Sequence, residues 1–297
     1  MKNGILLALV AYAVYAWSDG FTKALGPTLS VFQIGFFTFF LAGIALLFMP
    51  PTGERWWGFW RMQRPWAVHL RAVLGVTAGI GGVHAFTTIP LAEAYALVFL
   101  APLFITLLSI VLLGEQVGPW RWAAVIAGFC GVLLVVRPGF RELQLGHLSA
   151  MAVAVLFAGN VILMRSLANE KQTSVIGVLI LYTVVINGVA ALATGALLPP
   201  ADWQVVAMLI VIGIFTAIGS RLLLLATRLT PVNQLAPTHY SQILWAVAIG
   251  AAFFEEYPDW LSILGLAVVA GSGLLTLVRE RIRLGTVRWN PFARDKL

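Results

Sequence analysis

Runs of about 20 apolar residues follow one another from end to end of this chain, parted by short breaks rich in proline or charge. A run of that length crosses the hydrocarbon of a bilayer as an α-helix, with its backbone N–H and C=O groups bonded inside the segment. The runs are unbroken rather than alternating, which excludes a membrane β-barrel. Only 10% of the residues are charged and the mean hydropathy is +0.93. A soluble domain carries roughly 25% charged residues, so this chain has too few to cover a water-facing surface.

The runs divide into ten expected helices: 3–25, 31–49, 68–91, 94–113, 120–136, 147–167, 175–198, 204–228, 233–254 and 260–279. Pro50-Pro51, Arg137-Pro138-Gly139, Pro199-Pro200 and Glu255-Glu256-Tyr257-Pro258 mark clear breaks. The break between the third and fourth spans rests on Pro90 and Glu93 alone, and that between the eighth and ninth on Thr230-Pro231. No cleavable leader is expected, because the first run continues to about Leu25 and is long enough to span. The single cysteine, Cys130, excludes an intrachain disulfide and a cysteine metal cluster.

Lysine and arginine orient such a chain. With a cytoplasmic N-terminus, Lys2, Arg55, Arg61, Arg64, Arg71, Arg121, Arg165, Lys171, Arg228 and six residues of the tail share the cytoplasmic side, fifteen in all. Only Lys23, Arg137 and Arg141 lie opposite, and Arg221 falls within a span. Both termini are therefore expected in the cytoplasm, at the inner membrane of a bacterium. The net charge of +7 belongs to these flanks and the tail, not to a nucleic-acid surface.

A shift of 140 residues sets Glu115 on Glu255, Trp120 on Trp260, Ala127 on Ala267, Gly131 on Gly271 and Leu134 on Leu274. It also carries spans one to five onto six to ten. Two homologous halves with five spans each insert in opposite orientations, the inverted-repeat design of many secondary transporters, whose substrate site lies at the repeat interface near mid-membrane. The units are residues 1–140, residues 141–280 and a basic tail, 281–297. The sequence has no G-x-x-x-x-G-K-[ST] loop, no H-E-x-x-H and no G-x-S-x-G elbow, so nothing points to nucleotide hydrolysis, a catalytic metal or a serine nucleophile.

Polar residues inside the spans mark where function lies, because each is costly in lipid. The ninth span carries Asn233-Gln234 and then Thr238-His239-Tyr240-Ser241-Gln242, with Trp245 on the same helical face. Glutamine and serine offer donors and acceptors to a zwitterion, and Pro237 frees a backbone carbonyl. In the fourth span Tyr95, Phe99, Pro102, Thr106 and Ser109 share a face, an aromatic wall followed by a hinge proline. His84 in the third span, Asn160 in the sixth and Arg221 in the eighth are further candidates, the arginine for a carboxylate. Trp17 and Asp19 sit about two-thirds along the first span, where a gate would be, although Asp19 also has Lys23 four residues on for an ordinary ion pair. Interhelical hydrogen bonding or packing is the alternative for each of these residues.

Pro102 is followed thirteen residues later by the Gly114-Glu115 pair, then Gly128 and Gly131; the second half has Glu255, Gly265 and Gly271. With ten spans in two halves, this resembles the drug/metabolite transporter superfamily, EamA type. The second half departs from the pattern, with Phe254 in place of the glycine and Gln242 in place of the proline. Trp17-Ser18-Asp19 and His239-Tyr240-Ser241-Gln242 resemble the YddG-type aromatic amino-acid exporters.

The resemblance implies a carrier, working by alternating access, that exports amino acids, aromatic or otherwise neutral, or related metabolites. It needs no cofactor and is expected to act as a monomer. The rival readings are a membrane-embedded enzyme of lipid metabolism, which would need clustered His or Asp at the interface, and a channel. Because Asp19 has Lys23 in reach, the sequence favours facilitated movement over proton coupling. Reporter fusions test the topology: both termini and the 50–67 loop should report a cytoplasmic location, and a C-terminus on the opposite side would overturn the even helix count.

Overall fold

A computed structural model describes residues 2–49, 53–113, 118–137, 142–167, 169–195, 202–230, 235 and 238–286. Among these residues the chain is helical and contains no strand. The helices are α1 (Lys2–Leu25), α2 (Val31–Leu47), α3 (Pro65–Thr88), α4 (Leu91–Val98), α5 (Ala101–Leu113), α6 (Pro119–Val136), α7 (Leu145–Ser166), α8 (Gln172–Ala193), α9 (Trp203–Leu229), α10 (Ser241–Phe253) and α11 (Trp260–Thr286). Six helical stretches are long and apolar enough to cross a membrane, one of them formed by α4 and α5 together. α2, α10 and the apolar parts of α6 and α11 are shorter.

The fourth span departs from the single helix expected over 94–113. It starts earlier, directly after Pro90, and breaks at Phe99 and Leu100. Pro102 accounts for the break: it has no N–H for the Val98 carbonyl, and its ring crowds that carbonyl. The proline then sits in the first turn of α5, where a missing N–H costs nothing. The last span differs too, since α11 runs on through Arg279 to Thr286 rather than stopping at 279. Of the ninth span, α10 covers 241–253; Pro231, Asn233, Gln234 and Pro237 lie outside the described residues, as do Gly114, Glu115 and Arg141.

Burial is organised for lipid. Leu6, Phe48, Val111, Leu192 and Leu244 are exposed, while Ala8, Ala16, Ala85, Ala94, Ala150 and Ala217 are buried. Without water to drive apolar surfaces together, close approach of small residues carries the packing. At the α6–α11 crossing, a Cβ on Gly131 would lie 2.8 Å from the Gly265 carbonyl oxygen, and one on Gly265 would lie 2.6 Å from that of Gly131.

The partnerships are paired across the chain. α1 packs on α9 as α7 packs on α3; α2 lies against α9 as α8 lies against α3; α1 meets α10 as α7 meets α4 and α5. α2 pairs with α8, and α6 with α11. Gly4 abuts Thr230 and Gly146 abuts Thr88, so the same glycine–threonine contact recurs with both partners displaced by 142 residues. α4 is buried over Leu91–Leu97 and forms the middle of the largest apolar cluster.

On the loop after α2, Glu54 accepts the Gln172 and Thr173 N–H groups at 3.2 and 2.8 Å and so caps α8. Burial opposes ionisation of Glu54, but these bonds and the Thr173 hydroxyl outweigh it and hold the carboxyl below its usual range. Gly131→Val should overpack the α6–α11 crossing and cost about 1–3 kcal/mol. Gly79→Ala, where a Cβ meets nothing within 4 Å, should be neutral or gain up to about 1 kcal/mol of helix propensity. Thermal midpoints in detergent read both.

Candidate substrate site

Three helices bring the aromatic and polar candidates together. The Tyr95 hydroxyl on α4 donates to the Asp19 carboxylate on α1, and the Gln242 amide on α10 donates back to the Tyr95 oxygen at 3.1 Å. Tyr95 and Gln242 are 3% and 5% exposed, so this relay is sealed within the bundle. Below it the rings form a ladder. Phe86 meets Tyr95 at 5.4 Å between centroids, Tyr95 meets Phe99 at 6.2 Å, and Phe99 stacks on Tyr240 at 4.8 Å. Phe99 also takes His239 edge-on at 4.8 Å, and His239 stacks on Tyr12 of α1 at 4.7 Å. Phe99 and His239 stand 140 residues apart, the same shift that sets Glu115 on Glu255 in the sequence. The faces are in contact with one another, so a solute enters only if α4 and α10 part.

The other candidates stand apart from this cluster. Trp17 packs against Phe253 and Phe21 instead. His84 bonds Ser149 at 2.9 Å and lines a separate crevice of about 870 Å³ with Phe32, Ile80, Gly81 and Leu148. Asn160 donates to Leu156 of its own helix at 3.3 Å, and its Oδ1 is buried with no partner among the described residues. Arg221 likewise has a buried, unpartnered Nη1. Trp245 is 36% exposed on the outside of α10. Pro102 forms the α4–α5 break, and Thr106 and Ser109 bond back to carbonyls of α5. Pro237, the second expected hinge, lies outside the described residues. Tyr12 was not singled out by the sequence, although it shares a helical face with Tyr15 and Asp19 at i+3 and i+7; only the fold brings His239 onto it.

One end of the bundle is closed by ion pairs between helices. Lys23 does not pair with Asp19. Its ammonium bonds Glu256 at 2.7 Å and the Ile89 carbonyl at 2.8 Å, and it lies 5.4 Å from the centre of the Phe254 ring. Glu256 also accepts the Leu91 N–H at 3.0 Å, which ties the α3–α4 junction to the loop before α11. The sequence pointed to Glu255, but Glu255 has φ 57 and is exposed, whereas its neighbour makes the contacts. Glu93 bonds His147 at 3.1 Å, and Arg137 pairs with Asp259. Arg137, with the Ser262 N–H and hydroxyl, holds the Asp259 carboxyl well below the usual carboxylate range.

Comparison with known proteins bears on what this bundle does. The model of the EamA-like transporter family matches residues 2–137. A riboflavin transporter of Rhizobium johnstonii is 31% identical over 82% of this chain and 81% of its own length. The chain belongs to the EamA-like transporter family. An S-adenosylmethionine uptake transporter of Rickettsia prowazekii is 25% identical over 94% of each chain, and the pseudopaline exporter CntI of Pseudomonas aeruginosa is 26% identical over 91% of this chain and 95% of its own. A solved crystal structure shares the fold, with a TM-score of 0.61 and 19% identity over 95% of this chain and 98% of that one. The protein is thus a multi-pass membrane transporter of small molecules in the drug/metabolite transporter superfamily, and not an enzyme.

The Lys23–Glu256 pair is largely buried, with side chains 11% and 20% exposed. Lys23→Met should cost about 3–5 kcal/mol by stranding the Glu256 carboxylate. Adding Glu256→Gln should recover part of that loss. A double-variant loss equal to the sum of the Lys23→Met and Glu256→Gln losses would show that the two charges are not coupled.

Proposed function

We propose that this transporter is a ten-helix carrier built as two inverted five-helix repeats, residues 1–140 and 141–280, with residues 281–297 as a basic cytoplasmic tail. It sits in the inner membrane of a bacterium with both termini in the cytoplasm and works as a monomer. By alternating access it exports amino acids, aromatic or otherwise neutral, or related metabolites. The paired helix contacts and the twice-made glycine–threonine contact support the inverted repeat, because each partnership recurs when the two halves exchange places. On this reading α4 with α5 is the fourth span and α10 the core of the ninth.

The observation that carries the assignment is the convergence of Tyr12, Asp19, Tyr95, Phe99, His239, Tyr240 and Gln242 from three helices at the pseudo-symmetric centre. Aromatic faces suit a flat apolar body, and glutamine, tyrosine and aspartate suit its polar groups. Three relatives are named for small organic solutes, namely riboflavin, S-adenosylmethionine and pseudopaline, and the last is named an exporter. The α3–α4 junction, held by Lys23 and Glu256, is the outer gate. The break at Phe99–Leu100 lets α4 move with that gate while α5 stays packed on α7.

Proteoliposome counterflow with radiolabelled tryptophan, phenylalanine, riboflavin and S-adenosylmethionine tests the reading. A saturable exchange of an amino acid upholds it; exchange of riboflavin alone would move the cargo to a different class. Tyr240→Ala and Gln242→Ala should each lower exchange about tenfold or more, the range for losing one well-placed contact of 1.4 kcal/mol or above. Both variants should remain monodisperse. Undiminished exchange in both would place the site elsewhere.

A further inference from the structure

The carboxylate of Asp19 stands out among the acids of this bundle. Glu256 has Lys23, Glu93 has His147, Asp259 has Arg137, and Glu54 and Asp202 cap helices. Asp19 lies in the C-terminal half of a spanning helix, and no basic side chain among the described residues pairs with it. The cation one turn away, Lys23, is turned outward and held by Glu256 and by the Phe86 and Ile89 carbonyls. What touches Asp19 is the neutral Tyr95 hydroxyl. A charged group in a membrane helix is rare because it is costly, and it marks a functional pathway when its partner is not supplied by the protein.

We propose that Asp19 is the ammonium-binding group of the transport site, so that the cargo is an organic amine whose flat part rests on the Phe99, Tyr240 and His239 rings. This rests on the reading of the α1–α4–α10 meeting as the transport site. Tyr95 orients the carboxylate and is itself fixed from behind by Gln242 and by its neighbours Phe86 and Phe99. The groups that position Asp19 are thus neutral and leave its charge for a ligand. The ring faces beside it add to the attraction, since an ammonium is drawn to an aromatic face once desolvated. The location also suits exchange. Gly20, next to Asp19, is where α1 and α10 close, and a Cβ there would lie 2.9 Å from Ile249. Parting these helices would expose the carboxylate and the rings together.

The test measures equilibrium binding to the purified full chain in detergent at pH 7, for wild type and Asp19→Asn, which keeps the size and the bond from Tyr95. The probes are tryptamine, indole-3-propionate and putrescine. Tryptamine should bind the wild type at least about tenfold more tightly than the variant, because removing one partner of a desolvated charge pair costs several kcal/mol. Indole-3-propionate should bind the variant as well as the wild type or better. Tryptamine held equally by both proteins, or a wild type that prefers the acid to the amine, overturns the proposal. A variant that fails to fold leaves the wild-type order of tryptamine over indole-3-propionate as the deciding result. Putrescine separates this proposal from the aromatic reading beneath it. If putrescine binds through Asp19 while tryptamine gains nothing from its ring, the amine subsite stands and the aromatic cargo falls.

Discussion

Hydrocarbon offers a polar group no partner, and that scarcity governs what this chain can be. Every segment that meets lipid must close its own backbone hydrogen bonds, so the described residues form helices and short connections only. Polar side chains within the spans are driven to the helix interfaces, where they find one another or a backbone carbonyl. Thr106, Thr183 and Asn187 bond to carbonyls one turn back in their own helices. Tyr15 reaches Ser220 and His69 reaches Tyr182 across helix pairs. The relay from Gln242 through Tyr95 to Asp19 follows the same rule, and it ends on a carboxyl group.

The spans were legible in the sequence because a membrane imposes a length. The runs over 31–49 and 204–228 correspond to α2 and α9 almost residue for residue. The break inside the fourth span was not legible as a break. Pro102 was visible as a hinge, but the consequence falls four residues earlier, at the Val98 carbonyl that loses its donor. The candidate site was legible in part for the same reason. Tyr95, Phe99, His239, Tyr240 and Gln242 could be picked out as polar or aromatic residues on helical faces. Their meeting spans more than 130 residues of chain and follows from tertiary packing alone. The i,i+4 geometry that linked Lys23 to Asp19 is real, yet a long flexible ammonium chooses the better-solvated end of the bundle, where Glu256 and free carbonyls await it.

Repetition and divergence meet at the centre. Phe99 and His239 occupy corresponding places in the two halves and touch, so a pseudo-two-fold axis passes between them on the inverted-repeat reading. Their surroundings differ. The first half has Pro102 where the second has Gln242, and Tyr95 where the second has Leu235. Both halves interrupt the helix just before the Pro102 and Gln242 position, at Leu100 and Tyr240; the first then places a proline there, while the second supplies the amide that holds Tyr95. On the inverted-repeat reading, a symmetric scaffold gives two equivalent ways for the halves to tilt, and asymmetric side chains at the axis give a cargo one preferred pose.

The stacked rings then set a condition on any transport cycle. Tyr12 stacks on His239 and Phe99 on Tyr240, with His239 edge-on to Phe99, all at 4.7–4.8 Å, so the described conformation has no slot between them. A flat cargo replaces ring–ring contact with ring–cargo contact, an exchange of similar interactions rather than a net gain. Binding energy that favours opening must come from elsewhere, because a ligand shifts a conformational equilibrium only by its differential affinity for the two states. On the amine proposal, the contact present in the loaded state and absent in the empty one is the Asp19 carboxylate meeting a cation. The outer ion pairs oppose that opening: Lys23 and Glu256 hold the α3–α4 junction, and His147 holds α4 through Glu93. On that proposal, the balance between a buried carboxyl without a basic partner among the described residues and these pairs that already have theirs makes movement of the gate depend on the cargo.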